Sequence, residues 1–510
     1  MSEINYAQKS KWPVLAFISI VLIAILLGAM KRLSSKTAEL SKDELVIYCA
    51  AGIRLPLAEI TKKYTEEYGV PVKLEYGSSG ELESKLLQDA SYKKERARLY
   101  IPADLSFSDR TAEKGLTFES LPMAGFHLVL AIKPDDTLTV GSVKDLLDKK
   151  IPFAICNEKA GVGKMTMDFL VKAQLWEEVS DKRKVVCATV TECANLVKSS
   201  DDIKAGFVWN TTAKQFGLKI IELPELKGAV TAINVNVTQT SNPRAALHLA
   251  RYLSSPEKGS KYFAKYGFNI RSGDEWTETP ELDLYCGGVN KKAVDKTLAE
   301  FEEREGVIIN TQYDGCGTLV TSISAQKDKH TFPDGFLTCD KSYYEMVQTD
   351  FFPGQDISST EIIILVRKGN PLKIESITDL RKAGLKVGTT DRRKSTLGHL
   401  SWKLFKEFGI EEKMTENVVV TAPTAHKLIT QFMAHDKLDA VLVYKANCSQ
   451  VLDEYDLIEI PHELATAIQN IGISKQSKYP LLMSRLIESL KSVKSKNRYS
   501  KIGFKWAVSE

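Results

Sequence analysis

Two short segments combine small residues with side chains that can donate a hydrogen bond or offer a sulfur ligand. Residues 75–82 read EYGSSGEL, and residues 312–319 read QYDGCGTL. In each segment a predicted strand ends in tyrosine, small residues follow, and a helix begins. The first N–H groups of a helix have no intrahelical partner, so this elbow suits an anion. The first elbow adds the hydroxyls of Ser78 and Ser79, whereas the second has Cys316.

The first elbow also has a purely structural interpretation. Ser78 and Glu81 have the spacing of a capping box, in which the two side chains satisfy backbone N–H groups at the helix terminus. From the elbow alone, capping and anion binding both remain open.

The elements around the elbows predict an α/β fold. ELVIYCA (44–50) and VPVKLEYG (70–77) are typical of strands, and LPLAEITKKYTEEYG (55–69) between them has apolar residues at helical spacing. This strand–helix–strand order predicts a mostly parallel sheet with helices on both faces. In such sheets ligands bind beyond the carboxyl ends of the strands, where both elbows lie.

The body of the chain is predicted to be a duplication. Tyr48-Cys49 recurs as Tyr285-Cys286, FHLVLAIKPDD (126–136) recurs as EIIILVRKGNP (361–371), and KYGF (265–268) recurs as KIGF (501–504). The displacement between the copies stays within a few residues over their whole length. We therefore predict two tandem domains, residues 45–275 and 281–507, joined by a polar link near 272–283.

This arrangement resembles the molybdate/tungstate-binding proteins of ABC importers, which have the type II periplasmic-binding fold. The motifs that carry the resemblance are IYCAAGIRLP (47–56), YGSSGEL (76–82), IPADLSFSD (101–109) and KAGFVW (204–209). It covers residues 45–271 and, more weakly, 282–506. It implies two lobes per copy that close on a tetrahedral oxyanion held by neutral hydrogen bonds. We expect a solute-binding protein without a cofactor that delivers its ligand to an ABC permease.

Carried over by position, the resemblance implies a set of ligand-binding residues in the first copy. The family's serines fall on Gly52 and Ser79, and its tyrosine falls on Trp209. Its backbone donors fall near the loop glycine and in VTECAN (190–195). The implied positions are Gly52, Ser78, Ser79, Val162, Gly163, Cys193 and Trp209.

The second copy departs further from the family pattern. Its corresponding positions are Val289, Cys316, one near Leu397, one near Ala425, and Tyr444. It keeps the tyrosine and neither serine. Because a thiol is a weaker hydrogen-bond donor than a hydroxyl, we expect that the second copy does not bind the anion of the first.

The cysteines carry a separate signal. An even number in an exported chain favours disulfides, and no C-x-x-C pair is present. We expect Cys49 and Cys193 to face each other across the first cleft. In the second copy Cys316 either pairs with Cys286 or Cys339, or contributes to a soft-metal or thiol-dependent binding site. The eight are Cys49, Cys156, Cys187, Cys193, Cys286, Cys316, Cys339 and Cys448.

The N-terminal segment WPVLAFISIVLIAILLGAM (12–30) carries no charge and is long enough to cross a bilayer as a helix. We predict a short cytoplasmic tail (1–11), a transmembrane anchor (12–30) and a linker (31–44), with the bulk of the chain on the periplasmic side of the cell membrane. A cleaved signal peptide is the alternative.

The net charge and the motifs that are missing argue against two classes of function. The 510 residues carry a net charge of only +4, and no Lys/Arg run is interleaved with aromatics, so we expect no nucleic-acid partner. No nucleophile–base pair or carboxylate pair has supporting context, so we expect no enzyme activity. A ligand-sensing scaffold for a separate signalling partner remains as a third hypothesis.

Overall fold

The structure, a computed structural model, describes residues 41–271, 273–327, 329–434, 437–448, 451 and 453–508. The predicted cytoplasmic tail and transmembrane anchor, and all but the last residues of the predicted linker, lie outside this part of the chain. Among the residues that are described, no helix has both the length and the apolar character needed to cross a membrane.

The first copy alternates strands and helices. Its strands are β1 (Leu45–Ala50), β2 (Val72–Gly77), β3 (Ala97–Ile101), β4 (Thr117–Ile132), β5 (Phe153–Cys156), β6 (Val185–Cys187), β7 (Ala205–Trp209), β8 (Lys219–Ile221), β9 (Val230–Thr238) and β10 (Asn269–Ile270). Its helices are α1 (Arg54–Tyr68), α2 (Ser79–Ser91), α3 (Leu105–Glu113), α4 (Val143–Asp148), α5 (Gly161–Lys172), α6 (Trp176–Lys182), α7 (Val190–Ser199), α8 (Asn210–Phe216), α9 (Arg244–Ser254) and α10 (Lys261–Lys265).

The second copy repeats this order with fewer helices. Its strands are β11 (Glu281–Gly287), β12 (Ile308–Asp314), β13 (Gly335–Leu337), β14 (Gln355–Arg367), β15 (Val387–Thr390), β16 (Val418–Ala422), β17 (Ala440–Tyr444), β18 (Tyr455–Glu459), β19 (Thr466–Ile473) and β20 (Lys505–Trp506). Its helices are α11 (Lys291–Glu305), α12 (Cys316–Ala325), α13 (Lys341–Glu345), α14 (Thr396–Glu407), α15 (Glu411–Asn417), α16 (Ala425–Ala434), α17 (Pro480–Leu490) and α18 (Val493–Lys501).

Each copy forms one ten-stranded sheet, and the two sheets have the same strand order. The order is β2-β1-β3-β9-β4-β7-β5-β6 in the first copy and β12-β11-β13-β19-β14-β17-β15-β16 in the second. Strand n of the first copy therefore corresponds to strand n+10 of the second. The expectation of a mostly parallel sheet is wrong, because β4 and β9 run antiparallel to each other and to their other neighbours, which makes the sheet mixed.

The strand β4 joins two halves of the first sheet. Its residues 117–127 pair with β9, and from Leu128 onwards it pairs with β7, opposite Trp209. The half that contains β1, β2 and β3 is called lobe 1, and the half that contains β5, β6 and β7 is called lobe 2. Strand β14 joins the two lobes of the second copy in the same way.

Equivalent glycines end the equivalent helices α1 and α11. Gly69 and Gly306 both have φ of +68°, and each donates its N–H to a carbonyl in the last turn of its helix. A left-handed residue at this position terminates a helix at little cost only if it lacks a Cβ. After each glycine the chain turns back, and the strand that follows pairs in parallel with the strand before the helix: β2 with β1, and β12 with β11.

A buried charge cluster joins the two copies, which belong to one compact unit. The carboxylate of Glu305, which is 0% exposed, accepts from Arg485 (2.9 Å) and Arg304 (2.9 Å) in its own copy. Arg251 of the first copy donates to the Glu305 backbone oxygen (2.6 Å). Arg304 also pairs with Glu119 of the first copy (2.9 Å). Charge pairs of this kind fix the relative position of the copies.

The predicted polar link between the copies is hydrogen-bonded to the second copy and packed on the first. The carboxylate of Asp274 accepts from the N–H groups of Leu481 and Leu482 at the start of α17 (2.8 and 2.9 Å). The ring of Trp276 packs edge-on against Tyr252, with 5.0 Å between ring centroids. The link thus contributes to the contact between the copies.

Stability should depend on pH through Glu119 at this contact. Burial raises the pKa of its carboxyl to about 7, while Arg485 and Arg304 oppose this and Glu305 adds to it. Between about pH 4.5 and 7 the folded chain then holds a proton that the unfolded chain has lost, so the free energy of unfolding should fall as pH rises. Chemical denaturation across this interval should show a shallower decline in Glu119→Gln than in the wild type. Parallel curves would contradict the assignment.

Candidate functional site

A small cavity lies between the two lobes of the first copy, where several helices begin. Its volume is about 10 Å³, the room of about one water molecule. The starts of α2, α5 and α7 and the 3₁₀ turn Ala51–Ile53 meet there, so backbone N–H groups without intrahelical partners converge on it. The lining residues are Ala50, Ala51, Gly52, Gly77, Ser78, Ser79, Ala103, Ala160, Gly161, Val162, Thr189, Val190 and Trp209.

The hydroxyl of Ser79 is oriented by a backbone contact. Its oxygen accepts from the N–H of Ala103 (3.0 Å), and the side chain is 1% exposed. A hydroxyl that accepts in this way still has its own proton to donate. Ser79 therefore remains a hydrogen-bond donor at the edge of the cavity.

The side chain of Ser78 caps the helix that follows it. Its oxygen accepts from the N–H of Glu81, and the Glu81 carboxylate accepts from the N–H of Ser78 (3.0 Å), which forms the complete capping box. The capping interpretation of this residue is therefore correct, although Ser78 also lines the cavity.

The lobes are in direct contact around the cavity. The N–H of Gly80 in lobe 1 donates to the carbonyl of Lys159 in lobe 2 (2.7 Å). A Cβ on Gly161 would lie 3.0 Å from the backbone of Ala103, so a larger residue would push the lobes apart by a few tenths of an ångström. Gly163, two residues further, packs against the carbonyl of Asn157, so its role is close packing and its neighbour Val162 lines the cavity.

Two buried donors beside Gly52 have no partner among the described residues. The indole N–H of Trp209, which is 0% exposed, and the hydroxyl of Thr212 make no hydrogen bond to any described residue. A Cβ on Gly52 would lie 3.5 Å from both Trp209 Cδ1, the ring atom bonded to Nε1, and Thr212 Oγ1. Thr212 was missed by the sequence analysis, although its position three residues after Trp209 places it on the same side of the first turn of α8.

The backbone donor predicted at Cys193 is wrong. Its N–H donates to the Thr189 carbonyl (3.1 Å) because Cys193 lies beyond the first turn of α7. Its thiol is close to those of Cys156 and Cys187, which end neighbouring strands. The position of Cys193 opposite Cys49 stays a prediction. From this helix Val190 lines the cavity in place of Cys193.

The second copy has a wider cleft, which charged side chains line, with a volume of about 350 Å³. Of the predicted residues, Val289, Ala425 and Tyr444 line it, while Cys316 and Leu397 are buried beside it. The Tyr444 hydroxyl is buried and has no partner among the residues the structure describes. The full lining is Gly288, Val289, Lys291, Lys292, Asp295, Tyr313, Asp314, Gly315, Cys339, Ser395, Thr424, Ala425, His426, Tyr444 and Asn447.

The eight cysteines, all in the described part of the chain, are free and buried, so the disulfide expected at Cys316 is not formed in this structure. Cys316 Sγ accepts from the N–H of Cys339 (3.0 Å), as Ser79 Oγ accepts from Ala103. Burial raises the pKa of the Cys316 thiol, but hydrogen bonds from Cys339, including that of its backbone N–H, oppose burial and lower that pKa. No group of three or more His, Cys, Asp or Glu side chains within the described ranges has the arrangement of a metal site.

Comparisons with known proteins find relatives that match about half of this chain. A putative binding protein of Haemophilus influenzae is 25% identical over 233 residues, which cover 44% of this chain and 91% of that protein. Among solved structures, the substrate-binding domain of a putative molybdenum ABC transporter from Clostridium difficile is 25% identical and covers 45% of this chain and 100% of its own (TM-score 0.35). The periplasmic molybdate-binding protein of Azotobacter vinelandii is 17% identical, with coverages of 45% and 100% (TM-score 0.38).

A family model described as bacterial extracellular solute-binding protein matches residues 45–269 and again residues 282–505. The predicted tandem duplication is confirmed, since one model matches twice along the chain. Because these two matches cover most of the 510 residues, the chain belongs to the family of bacterial extracellular solute-binding proteins.

Proposed function

We propose that this protein binds a small oxyanion of the molybdate/tungstate type in the cleft of its first copy and delivers it to an ABC permease. In this proposal residues 12–30 anchor the chain in the cell membrane, and the two copies lie on the periplasmic side. The ligand contacts are the Ser79 hydroxyl, the indole N–H of Trp209, the Thr212 hydroxyl and the helix N–H groups around Gly161 and Val162.

The observation that carries the proposal is the unpartnered indole N–H of Trp209. A buried donor that lacks a hydrogen bond costs about 1–3 kcal/mol, so folded proteins rarely retain one without a use. The Thr212 hydroxyl, which like Trp209 lies beside Gly52, has no partner among the described residues either. Both groups are satisfied at once by an acceptor with several oxygens placed between the lobes.

The character of the lining favours an anion held without counter-charge. No charged side chain of the described residues lines the first cavity, and small residues bring helix N-termini close to it. Helix N-termini carry partial positive charge, which favours an anion. A cationic solute would find no carboxylate among the residues that line this cavity.

Entry of the ligand requires the lobes to separate. A tetrahedral oxyanion does not fit a cavity of about 10 Å³, and the contact between Gly80 and Lys159 spans the entrance. Rotation about β4, which joins the lobes, opens this contact, and the lobes then close around the ligand, further apart than in this structure, with donors on both sides. This hinge movement is typical of two-lobed binding proteins.

Substitution Ser79→Ala tests the cleft directly. Loss of one hydrogen bond to a charged ligand should weaken binding by roughly 1–2 kcal/mol in calorimetric titrations with molybdate, tungstate, sulfate and phosphate. Ser84→Ala is the matched control, because Ser84 lies in the same helix and donates to the Gly80 carbonyl (2.8 Å) without lining the cavity. Absence of heat with all four anions at millimolar concentration would refute the oxyanion proposal.

Substitution Trp209→Phe tests the contribution of the indole N–H to ligand binding. Phenylalanine keeps an aromatic ring near Phe126, whose ring centroid lies 4.3 Å from that of Trp209, but removes the indole N–H together with part of the ring system. We expect about tenfold weaker anion binding, the equivalent of roughly 1.4 kcal/mol. The melting temperature of the free protein should also fall, because the smaller ring leaves a cavity at a position that is 0% exposed. A lower melting temperature with unchanged affinity would mean that Trp209 serves packing alone and does not contact the ligand.

The anchoring proposal has its own test. Residues 12–30 should keep the chain in the membrane fraction after washing with high salt and with alkaline carbonate. Deletion of residues 1–30 behind a cleavable export signal should release it. Recovery of a mature chain that starts after residue 30 would instead support the cleaved signal peptide.

A further inference from the structure

The two copies differ by matched changes at two positions that contact each other. In the first copy the Ala103 N–H donates to Ser79 Oγ, and in the second the Cys339 N–H donates to Cys316 Sγ, both at 3.0 Å. The Ser79 hydroxyl and the Ala103 methyl group of the first copy are thus both replaced by thiols in the second copy. Two such changes at one contact indicate that the sulfurs act together.

A third change provides the space for them. The last residue of β1 is Ala50, and the corresponding last residue of β11 is Gly287. A Cβ on Gly287 would lie 2.4 Å from Cys339 Sγ and 2.9 Å from Cys316 Sγ. As long as both sulfur atoms stay where they are, the Cβ of an alanine at this position would clash with them. The three changes together create a pair of adjacent thiols.

This pair lies at the floor of the second cleft. Cys339 lines the cavity of about 350 Å³, and Cys316 lies directly behind it. Tyr444 lines the same cavity, and its buried hydroxyl has no hydrogen-bond partner among the described residues. A thiol pair beside an unsatisfied donor indicates a ligand that takes both sulfur and oxygen contacts.

We propose that the second cleft is a dithiol binding site for a small trivalent thiophilic hydroxide of the arsenite or antimonite type. Such a species is a soft centre that prefers sulfur ligands and carries three hydroxyl groups. Cys316 and Cys339 each form a bond from sulfur to the central atom and each release their proton. Two hydroxyl groups leave with these protons as two molecules of water, and no oxidation state changes. The third hydroxyl stays on the ligand and accepts from Tyr444.

The thiols differ in a way that suits stepwise attack. Hydrogen bonds from Cys339 lower the pKa of Cys316 despite its burial, whereas Cys316 and burial raise the pKa of Cys339 well above its usual value. The thiolate is the nucleophile, so Cys316 forms the first bond and Cys339 the second. This inference concerns the second cleft alone and does not depend on the anion of the first.

The site is tested with arsenite and the reduced full-length chain. Native mass spectrometry should detect one arsenic per chain, with the mass expected for loss of two water molecules. The triple variant Gly287→Ala/Cys316→Ser/Cys339→Ala gives the second cleft the residues of the first at all three positions, so we expect it to fold. It should bind arsenite at least a hundredfold more weakly, and Tyr444→Phe roughly fivefold to tenfold more weakly.

The other buried thiols provide the control. Cys156, Cys187 and Cys193 lie close together in the first copy, so Cys187→Ser/Cys193→Ser should leave arsenite affinity unchanged. Unchanged affinity in the triple variant, or its loss in this control, would overturn the proposal. So would a reduced wild-type chain that fails to bind arsenite or that binds zinc instead. A disulfide between Cys316 and Cys339 that re-forms in preference to arsenite binding would assign the pair to redox chemistry.

Discussion

Replacement of Glu305 by alanine is expected to lower the free energy of unfolding by about 3–5 kcal/mol. The carboxylate is 0% exposed, and its removal leaves the guanidinium of Arg485, itself only 8% exposed, without its closest counter-charge. Loss of one member of a buried ion pair is costly because the remaining charge stays desolvated. Arg251, 6% exposed, loses the same carboxylate at 3.8 Å.

The measurement is chemical denaturation followed by intrinsic fluorescence, since Trp276 lies at the contact between the copies. Glu303→Ala is the matched control, because Glu303 is exposed in the same helix and its removal should change stability by less than about 0.5 kcal/mol. A Glu305→Ala effect below about 1 kcal/mol would mean that water reaches the cluster and screens it.

Substitution Gly52→Val is expected to abolish most of the anion binding of the first copy. A Cβ at this position would lie 2.9 Å from Val190 Cγ1 of the opposite lobe, so any larger side chain holds the lobes apart. Overpacking of this kind costs about 1–3 kcal/mol, and this cost falls only on the closed arrangement. Affinity should therefore drop roughly tenfold to a hundredfold. The second copy already has valine here, as Val289.

Calorimetry and small-angle scattering together test this prediction. The variant should bind the anion weakly and should not contract when anion is added. Gly141→Ala is the control, because a Cβ there would meet no described atom within 4 Å. Unchanged affinity in Gly52→Val would mean that the ligand is held without contact between these lobes.

Local sequence patterns predicted the elements better than their pairing. The run ELVIYCA became β1 and VPVKLEYG became β2, to within one or two residues, because apolar runs bounded by glycine are typical of strands. The antiparallel course of β4 and β9 was missed, because strand direction is set by pairing between residues far apart in the chain. The buried role of Glu305 was also missed, since EEREG (302–306) has the composition of an exposed helix end.

The sequence predicted only some of the residues of the site. Gly52, Ser79, Val162 and Trp209 line the first cavity, because the resemblance carried their positions directly. Cys193 was assigned one helical turn too far along, and one turn decides whether a backbone N–H is free or bonded. Thr212 has no recognisable motif, and only the course of α8 brings it to Gly52.

The uninterrupted course of β4 has a consequence for how cleft opening would be observed. Its 16 residues extend over roughly 50 Å, and the same strand is hydrogen-bonded in both lobes. A twisted strand can change its twist by small amounts at every residue, so the lobes can rotate without melting any segment. Amide hydrogen exchange along β4 should therefore stay slow while the lobes move. The movement should appear instead as a change in the distance between labels placed on the two lobes.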